Sequence, residues 1–386
     1  MASIPLRLEG ARRILLIKPS ALGDVVQALP VAATLKRRYP NSALDWLVEE
    51  EAADILGGHP ALSGVIVSGR RRWLCQLRNP GNTLAILREI RDFNARLRER
   101  RYDVVVDLQG LLKSALYVLA AHAPIRVGFA EGREGAPWVL THRVAAPPQP
   151  VHAVDRYLAL AAAMGATEAV REFQIIPSEE DEEFGRSLLD VFERPRVVLH
   201  PIARWRTKLW EPTRWRDLAA TLHHEGMRVI LTGSREDQPV GAAITRGLDP
   251  PPLSLMGRLS LKQLAVVLRE VDLAVTVDSG PMHIAAAVGT PVVALFGPTD
   301  PRRTGPLGSG KVLRRQLDCS PCLQRRCRIQ DMYRCMRELS VPEAVEAVRE
   351  VLGSRRGQDR MRPQSRLEAG SQITQMFPTE SSPGNL

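Results

Sequence analysis

At 386 residues, with 44% hydrophobic and 25% charged positions, the chain is too long for one ordinary core and suits two domains of about 150–200 residues plus a tail. No run of roughly 18 apolar residues occurs, which excludes a bilayer-spanning helix, and Met1 to Arg13 lacks the apolar core of a secretory signal. The five cysteines fit a reducing compartment better than a disulfide framework, so a cytoplasmic protein is expected, and the formal charge of +10 suggests an anionic partner: acidic lipid, a phosphorylated substrate or nucleic acid.

Short apolar runs alternate with helix-period segments, the pattern of βαβ units and a parallel sheet. In the first half strands are expected at Arg13–Lys18, Leu44–Val48, Val65–Val67 and Asp103–Asp107, with helices at Asp24–Arg38, Leu84–Arg101, Leu111–Ala121 and Val154–Met164. The first strand runs into Lys18-Pro19-Ser20-Ala21-Leu22-Gly23-Asp24. This is neither a Gly-x-Gly-x-x-Gly turn nor a Gly-Lys-Ser/Thr loop, so a nicotinamide site and a phosphate loop are both unsupported. Asp24 then heads a helix facing the ends of the strands, as a cap of orphan amides or as a catalytic base. Between Arg70 and Arg101, ten arginines face three acids, Glu89, Asp92 and Glu99. They form either a face for an anionic partner or a solvated helix with Arg–Glu pairs.

From Gly165 to Arg194 the chain turns acidic (Glu179, Glu180, Asp181, Glu182, Glu183) and carries Pro177, which places a domain boundary there and gives domains of residues 1–170 and 171–353. The same grammar then restarts. Strands are expected at Arg196–His200, Arg228–Thr232, Asp272–Val277 and Val292–Phe296, and helices at Thr213–His224, Leu261–Arg269, Pro281–Val288 and Glu343–Leu352, the last ended by Gly353. Residues 354–386, rich in Gly, Ser, Pro and Arg, read as a disordered tail. Two strand-first units in tandem predict an α/β protein of two doubly wound domains facing a cleft, with ligands at the carboxyl ends of the strands.

Three loops of the second half stand at such ends. Arg204, Arg206 and Lys208 cluster after the first strand and suit a diphosphate. Gly233-Ser234-Arg235-Glu236-Asp237 offers acids to a ribose or base, or simply caps the next helix. Val277-Asp278-Ser279-Gly280-Pro281-Met282-His283 passes from a buried strand into a helix opened by proline, whose free amides and dipole form a phosphate-binding corner. His283 is either part of that corner or a satisfied helix histidine.

Together these loops resemble the bacterial heptosyltransferases of glycosyltransferase family nine, over roughly residues 12–352. The likeness rests on Lys18-Pro-Ser-Ala-Leu-Gly-Asp24-Val-Val-Gln-Ala-Leu-Pro30, on Asp278-Ser-Gly-Pro-Met-His283 and on Leu295-Phe-Gly-Pro-Thr-Asp-Pro301, in this order and spacing. Asp45-Trp-Leu-Val-Glu-Glu50, Arg71-Arg72-Trp73, Asp107-Leu-Gln-Gly-Leu-Leu-Lys113, His152-Ala-Val-Asp155-Arg156 and Lys208-Leu-Trp210 look like heptosyltransferase I. Cys319-Ser-Pro-Cys322, with Cys327 and Cys335, looks more like heptosyltransferase II.

The resemblance implies the GT-B architecture, two Rossmann-like domains with the acceptor in the amino half and the nucleotide sugar in the carboxyl half. It implies inverting transfer of L-glycero-D-manno-heptose from ADP-heptose to Kdo-lipid A, or, as alternatives, to the acceptor of heptosyltransferase II or of another family member. Asp24 is then the base. Lys208, Ser279 and Gly280 hold the diphosphate, Asp278 and His283 contact the donor, and Glu236 is a weaker nucleotide candidate. Arg70, Arg71 and Arg72, with Lys113 nearby, are expected to dock the acceptor headgroup, and the arginine-rich helix to rest on the anionic inner face of the inner membrane, with no nucleic acid partner.

No Asp-x-Asp pair occurs, so no metal or other cofactor is expected. The cysteine cluster reads as reduced structural thiols, with zinc the second reading. Two rivals lie further off: an epimerase of the same architecture, and a non-catalytic binder of anionic lipid or nucleic acid indifferent to Asp24→Ala.

Overall fold

The computed structural model of the chain describes residues 6, 8–78 and 80–361. Its amino half contains β1 (Arg13–Ile17), α1 (Leu22–Arg38), β2 (Ala43–Glu49), α2 (Glu50–Ala53), β3 (Gly64–Ser68), α3 (Arg70–Gln76), α4 (Thr83–Glu99), β4 (Val104–Asp107), α5 (Leu112–Ala121), β5 (Ile125–Phe129), β6 (His142–Val144) and α6 (Ala153–Ala163). The carboxyl half continues with α7 (Glu179–Ser187), β7 (Arg196–His200), α8 (Pro212–His224), β8 (Arg228–Leu231), α9 (Gln238–Thr245), β9 (Leu253–Ser254) and α10 (Leu261–Glu270). It closes with β10 (Leu273–Val277), α11 (Gly280–Ala287), β11 (Val292–Phe296), α12 (Pro301–Thr304), β12 (Gly310–Arg314), α13 (Arg334–Arg337) and α14 (Val341–Met361).

Each half builds one six-stranded sheet, β3-β2-β1-β4-β5-β6 and β12-β11-β10-β7-β8-β9, and every pairing is parallel. Counted within its own half, each follows the 3-2-1-4-5-6 order of the doubly wound sheet. The inner strands are apolar runs because helices cover both of their faces; β10 and β11 are buried at every position. The order reverses between β1 and β4 and between β7 and β10. The loops leaving these four strands are therefore the places where a crevice opens.

The two halves meet at the starts of α1 and α11. A Cβ on Gly23 would lie 2.6 Å from His283 Cδ2, and one on Gly280 would lie 2.8 Å from Leu22 Cδ2, so glycine is needed on both sides of this seam. Behind it, one apolar cluster runs through both halves, with Val25, Val26 and Leu29 of α1 joined to Met282, Ile284 and Ala285 of α11. At the edges of the seam, His152 Nε2 lies 3.0 Å from the Gly305 carbonyl, and the Lys262 N–H donates to Asp54 Oδ2 at 3.1 Å.

The acidic stretch after Pro177 contains a helix. Ser178 caps α7, accepting from the Asp181 N–H at 3.1 Å, and the acids of the first turn lie at the favourable end of the dipole. α14 runs past Gly353, where the sequence marked its end, to Met361; a glycine inside a helix costs only about 1 kcal/mol. Residues 354–361 of the expected tail are thus helical, and 362–386 lie outside the described residues. Among the described residues, no helix is long and apolar enough to cross a membrane.

Candidate functional site

The β1–α1 loop sets the amino side of the crevice. Asp24, in the first turn of α1, accepts from the Ala21 N–H at 3.4 Å and from Lys18 Nζ at 3.3 Å. Both contacts are long for bonds to a carboxylate, and the side chain keeps 39% of its surface exposed. The carboxylate therefore touches the helix end without being used up by it, and the two sequence readings of Asp24 are compatible. Lys18 is buried, with Nζ 5.1 Å from the centroid of the Tyr157 ring. Burial lowers its pKa, but Asp24 and Tyr157 more than offset this and hold it above the ordinary lysine value.

The loop after β4 supports the same side. Asp107 accepts from the amides of Gln109 and Gly110 at 2.9 and 3.0 Å and from Ser114 Oγ at 3.0 Å; burial still pushes its pKa up. Lys113, in the first turn of α5, donates to Ser20 Oγ in the β1–α1 loop and lies 4.0 Å from Glu49 Oε1. Burial pulls its pKa down. Arg70 Nε donates to the same Glu49 oxygen at 2.7 Å, Arg71 pairs with Glu51, and Arg72 pairs with Glu89 and, at 3.7 Å, with Glu50. The arginine trio and Lys113 thus converge on carboxylates at the end of β2 and the start of α2.

On the carboxyl side, Lys208 Nζ donates to Asp278 Oδ2 at 2.6 Å, and Thr299 Oγ1 donates to the same oxygen at 2.6 Å. The Lys208 ammonium also stands 4.7 Å over the Trp205 ring. Its neighbours in sequence do not join it: Arg204 turns to Glu51 across the seam, and Arg206 is exposed. Ser279 precedes α11 with its hydroxyl buried and unpartnered, beside the orphan amides of the first turn. His283, buried on α11, has its pKa pushed down to about 4 by desolvation, against the pull of Asp278 and Asp24. It is neutral near pH 7.

The packing of Gly23 on His283 and of Gly280 on Leu22 joins these two sides. Asp24, Lys208, Asp278, Ser279, Gly280 and His283 accordingly border one crevice, with Arg70 and Lys113 on its amino flank. Glu236 is exposed on the turn after β8, one strand beyond the switch point; hydrogen bonding to its own backbone and to Ser234 lowers its pKa. Its neighbour Asp237 does the capping, accepting from the Ser234 N–H at 2.8 Å.

Sequence reasoning assigned no role to Lys18, Tyr157 or Thr299. A lysine directly after the buried run Ile14–Ile17 was the one available signal. The other two are brought in by topology alone.

A separate cavity lined by His223, His224, Arg228 and Pro250 lies at the amino end of β8 and contains none of these residues. Cys319, Cys322, Cys327 and Cys335 are free thiols, and burial, with the other three cysteines nearby, pushes Cys335 up to about 11. Among the described residues no group of three or more His, Cys, Asp or Glu is disposed to hold a metal.

The model of glycosyltransferase family 9 (heptosyltransferase) matches residues 90–333. The chain is 36% identical over 327 residues to lipopolysaccharide heptosyltransferase 1 of Pseudomonas aeruginosa, covering 82% of this chain and 88% of that relative. Its fold superposes on the Escherichia coli ADP-heptose lipopolysaccharide heptosyltransferase II with a TM-score of 0.71 and 26% identity, covering 89% of this chain and 99% of the other. For the E. coli heptosyltransferase WaaC with ADP-2-deoxy-2-fluoro heptose, the TM-score is 0.65 at 25% identity, with 88% and 99% covered.

Proposed function

The chain belongs to glycosyltransferase family 9, the heptosyltransferases, and from that premise we propose that it moves heptose from ADP-heptose onto Kdo-lipid A with inversion at the anomeric carbon. Its architecture, two doubly wound sheets across a crevice, is the GT-B arrangement of the heptosyltransferase structures it superposes on. The observation that carries the proposal is the seam at Gly23 and Gly280, where a half-exposed carboxylate from one sheet meets the start of a helix from the other.

In this reaction the acceptor hydroxyl attacks the anomeric carbon while the bond to the diphosphate oxygen breaks on the opposite face. The hydroxyl proton passes to the Asp24 carboxylate, and the electron pair of the broken bond leaves on ADP. Lys208, the amides of Gly280 and its neighbours, and the Ser279 hydroxyl hold the diphosphate and its developing charge. Asp278 orients Lys208 beside the donor, and neutral His283 offers a ring nitrogen to a sugar hydroxyl. Arg70, Arg71, Arg72 and Lys113 take the acidic headgroup of the acceptor, and Glu236 remains a candidate at the nucleotide's outer edge.

The acceptor of heptosyltransferase II is the second reading, favoured by the Cys319–Cys335 segment and by the fold match to that enzyme. The test incubates the protein with ADP-heptose and Kdo-lipid A and follows ADP release and lipid mass, beside Asp24→Ala. ADP release with a gain of one heptose, and a fall of ~100-fold or more in the variant, is expected. Release without lipid gain would move the acceptor to an already heptosylated core. Full activity in Asp24→Ala would remove the proposed base.

A further inference from the structure

The cysteine segment between β12 and α13 takes no part in the proposed chemistry, yet it is fastened to the carboxyl side of the crevice. Ser320 Oγ donates to the Gly297 carbonyl at 2.6 Å, and the Leu323 N–H donates to the Pro298 carbonyl at 2.8 Å. Both carbonyls belong to the loop after β11, in which Thr299 bonds Asp278. The Gln324 carbonyl accepts from Thr207 Oγ1 at 2.9 Å, in the 3-10 turn that ends in Lys208. Cys335 packs on the same structure, since a Cβ on Gly297 would lie 3.0 Å from its Sγ. The backbone from Ser320 to Gln324 is therefore held against the loops that leave β7 and β11, and the next residue is delivered to that edge of the crevice.

That residue is Arg325. Its guanidinium lies 5.4 Å from the centroid of the Trp205 ring, over which the Lys208 ammonium stands at 4.7 Å. The half-buried indole thus draws two cations to one place through its negative face. They differ in what balances them. Lys208 is matched by Asp278, whereas Arg325, exposed, has neither an ion pair nor a hydrogen bond among the described residues. The acids of its own segment and of α13 are turned elsewhere: Asp331 pairs with Arg337, Glu338 pairs with Arg334, and Asp318 also acts on Arg334. Arg326, equally exposed, makes no such ring contact. Two like charges gathered on one ring, only one of them neutralised, favour an anion beside them.

We propose that Arg325 grips the diphosphate of the donor beside Lys208, and that Trp205 is the platform on which its guanidinium waits at the edge of the crevice. The planar fork of a guanidinium matches phosphate oxygens in pairs. A cation–π contact at an exposed position is weak, so the ring gives the side chain up readily to a fully charged anion. No carboxylate has to be released first, which sets Arg325 apart from Lys208. The cysteine segment then has a task at the site: its bonds to Gly297, Pro298 and Thr207 place this charge where the nucleotide sugar arrives. That the anion is the diphosphate of a sugar nucleotide rests on the proposed function; the affinity of this corner for a diphosphate does not.

The full chain is titrated calorimetrically with inorganic pyrophosphate and with ADP at constant ionic strength. In Arg325→Gln both dissociation constants should rise by about tenfold or more, while Arg326→Gln keeps the parent values. Arg325→Lys should recover only part of the loss, because an ammonium lacks the fork. Position 325 is exposed, so an unchanged thermal midpoint without ligand is expected and checks the fold. Parent-like binding of both ligands by Arg325→Gln overturns the proposal and leaves the donor site standing. An equal loss in Arg326→Gln overturns it too, since the effect would then belong to the general charge of the segment. Transfer from ADP-heptose is read in parallel. Pyrophosphate binding that requires Arg325, without ADP binding or transfer, keeps the diphosphate corner and refutes the transferase reading alone. Binding of neither ligand by the parent overturns both.

Discussion

Gly23→Ala perturbs the seam on which the proposed chemistry depends. The new Cβ would stand 2.6 Å from His283 Cδ2 and 3.2 Å from Nε2, about 1 Å inside ordinary contact. His283 is itself a buried residue of α11, so the strain passes between the two helices and moves α1 away from α11. Overpacking of this kind costs roughly 1–3 kcal/mol of stability. Asp24 lies one residue on and moves with α1, and a 1 Å misplacement of a reacting group costs on the order of 100-fold in rate. The assay is steady-state transfer with saturating acceptor, together with a urea midpoint. A fall of about 10–100-fold in kcat is expected, with a smaller change in donor KM because, of the proposed donor contacts, the new methyl meets His283 and not Lys208 or Ser279. In a His283→Ala background the added methyl has room, so its stability cost should shrink. A wild-type kcat and midpoint, or a stability cost undiminished in that background, would refute the reasoning.

Three further outcomes are expected. His200 and His283 titrate near 4 when folded, both through burial, against about 6.5 when unfolded. The unfolded chain then takes up these protons first, so stability is intact above about 6.5 and declines as pH falls towards 4, by up to ~3 kcal/mol per histidine; a urea midpoint level from neutral to mildly acid pH would contradict this. Replacing Arg70, Arg71 and Arg72 together with serine should raise the acceptor KM by about tenfold or more while sparing the donor KM, and unchanged acceptor kinetics would sink the headgroup role. Asp278→Asn leaves Lys208, largely buried, without its carboxylate, at a cost of about 3 kcal/mol; ADP should restore much of the thermal midpoint by supplying the missing charge, and a midpoint indifferent to ADP would argue against Lys208 as its partner.

The inner strands were legible because each is an apolar run between turn residues, and β7 and β11 were bounded to the residue. β3, at a sheet edge, was read as Val65–Val67, but β5, β6, β9 and β12 were not. β5 is broken by Arg126 and Gly128, β6 is a triplet that opens on exposed His142 and Arg143, β9 is only Leu253–Ser254, and β12 opens on Gly310 and closes on Arg314. No sustained hydrophobic run marks any of them. The same limit applied at the site. Asp24, Lys208 and Asp278 could be singled out because they follow strand ends, yet the Lys208–Asp278 pair joins residues seventy positions apart. Lys18 was read as part of a motif, but its contact with Tyr157 of α6 depends on helix packing that periodicity does not encode. The arginine run was legible as charge and not as pairing, and its solvated-helix reading holds in part, since Arg72 meets Glu89 and Arg91 meets Asp92.

Charge balance in the crevice suggests how its parts divide the work. Lys18 is already matched by Asp24, Lys208 by Asp278 and Arg70 by Glu49. An entering diphosphate gains little from a cation that is already neutralised. The buried Ser279 hydroxyl has no partner, and the first amides of α11 have none within the helix; together they bring a dipole rather than a full charge. Ground-state docking by α11 and a later response by Lys208 fit these facts. The lysine can turn from Asp278 to the leaving oxygen as negative charge builds there, which makes its contribution larger in the transition state than in the bound donor. The paired glycines fit the same division. Bringing the positive ends of α1 and α11 together costs no more than about 1 kcal/mol each, and Asp24 in the first turn of α1 offsets part of it. Gly23 and Gly280 permit that approach, so that the carboxylate proposed as base and the helix start proposed for the diphosphate stand on the two sides of one seam.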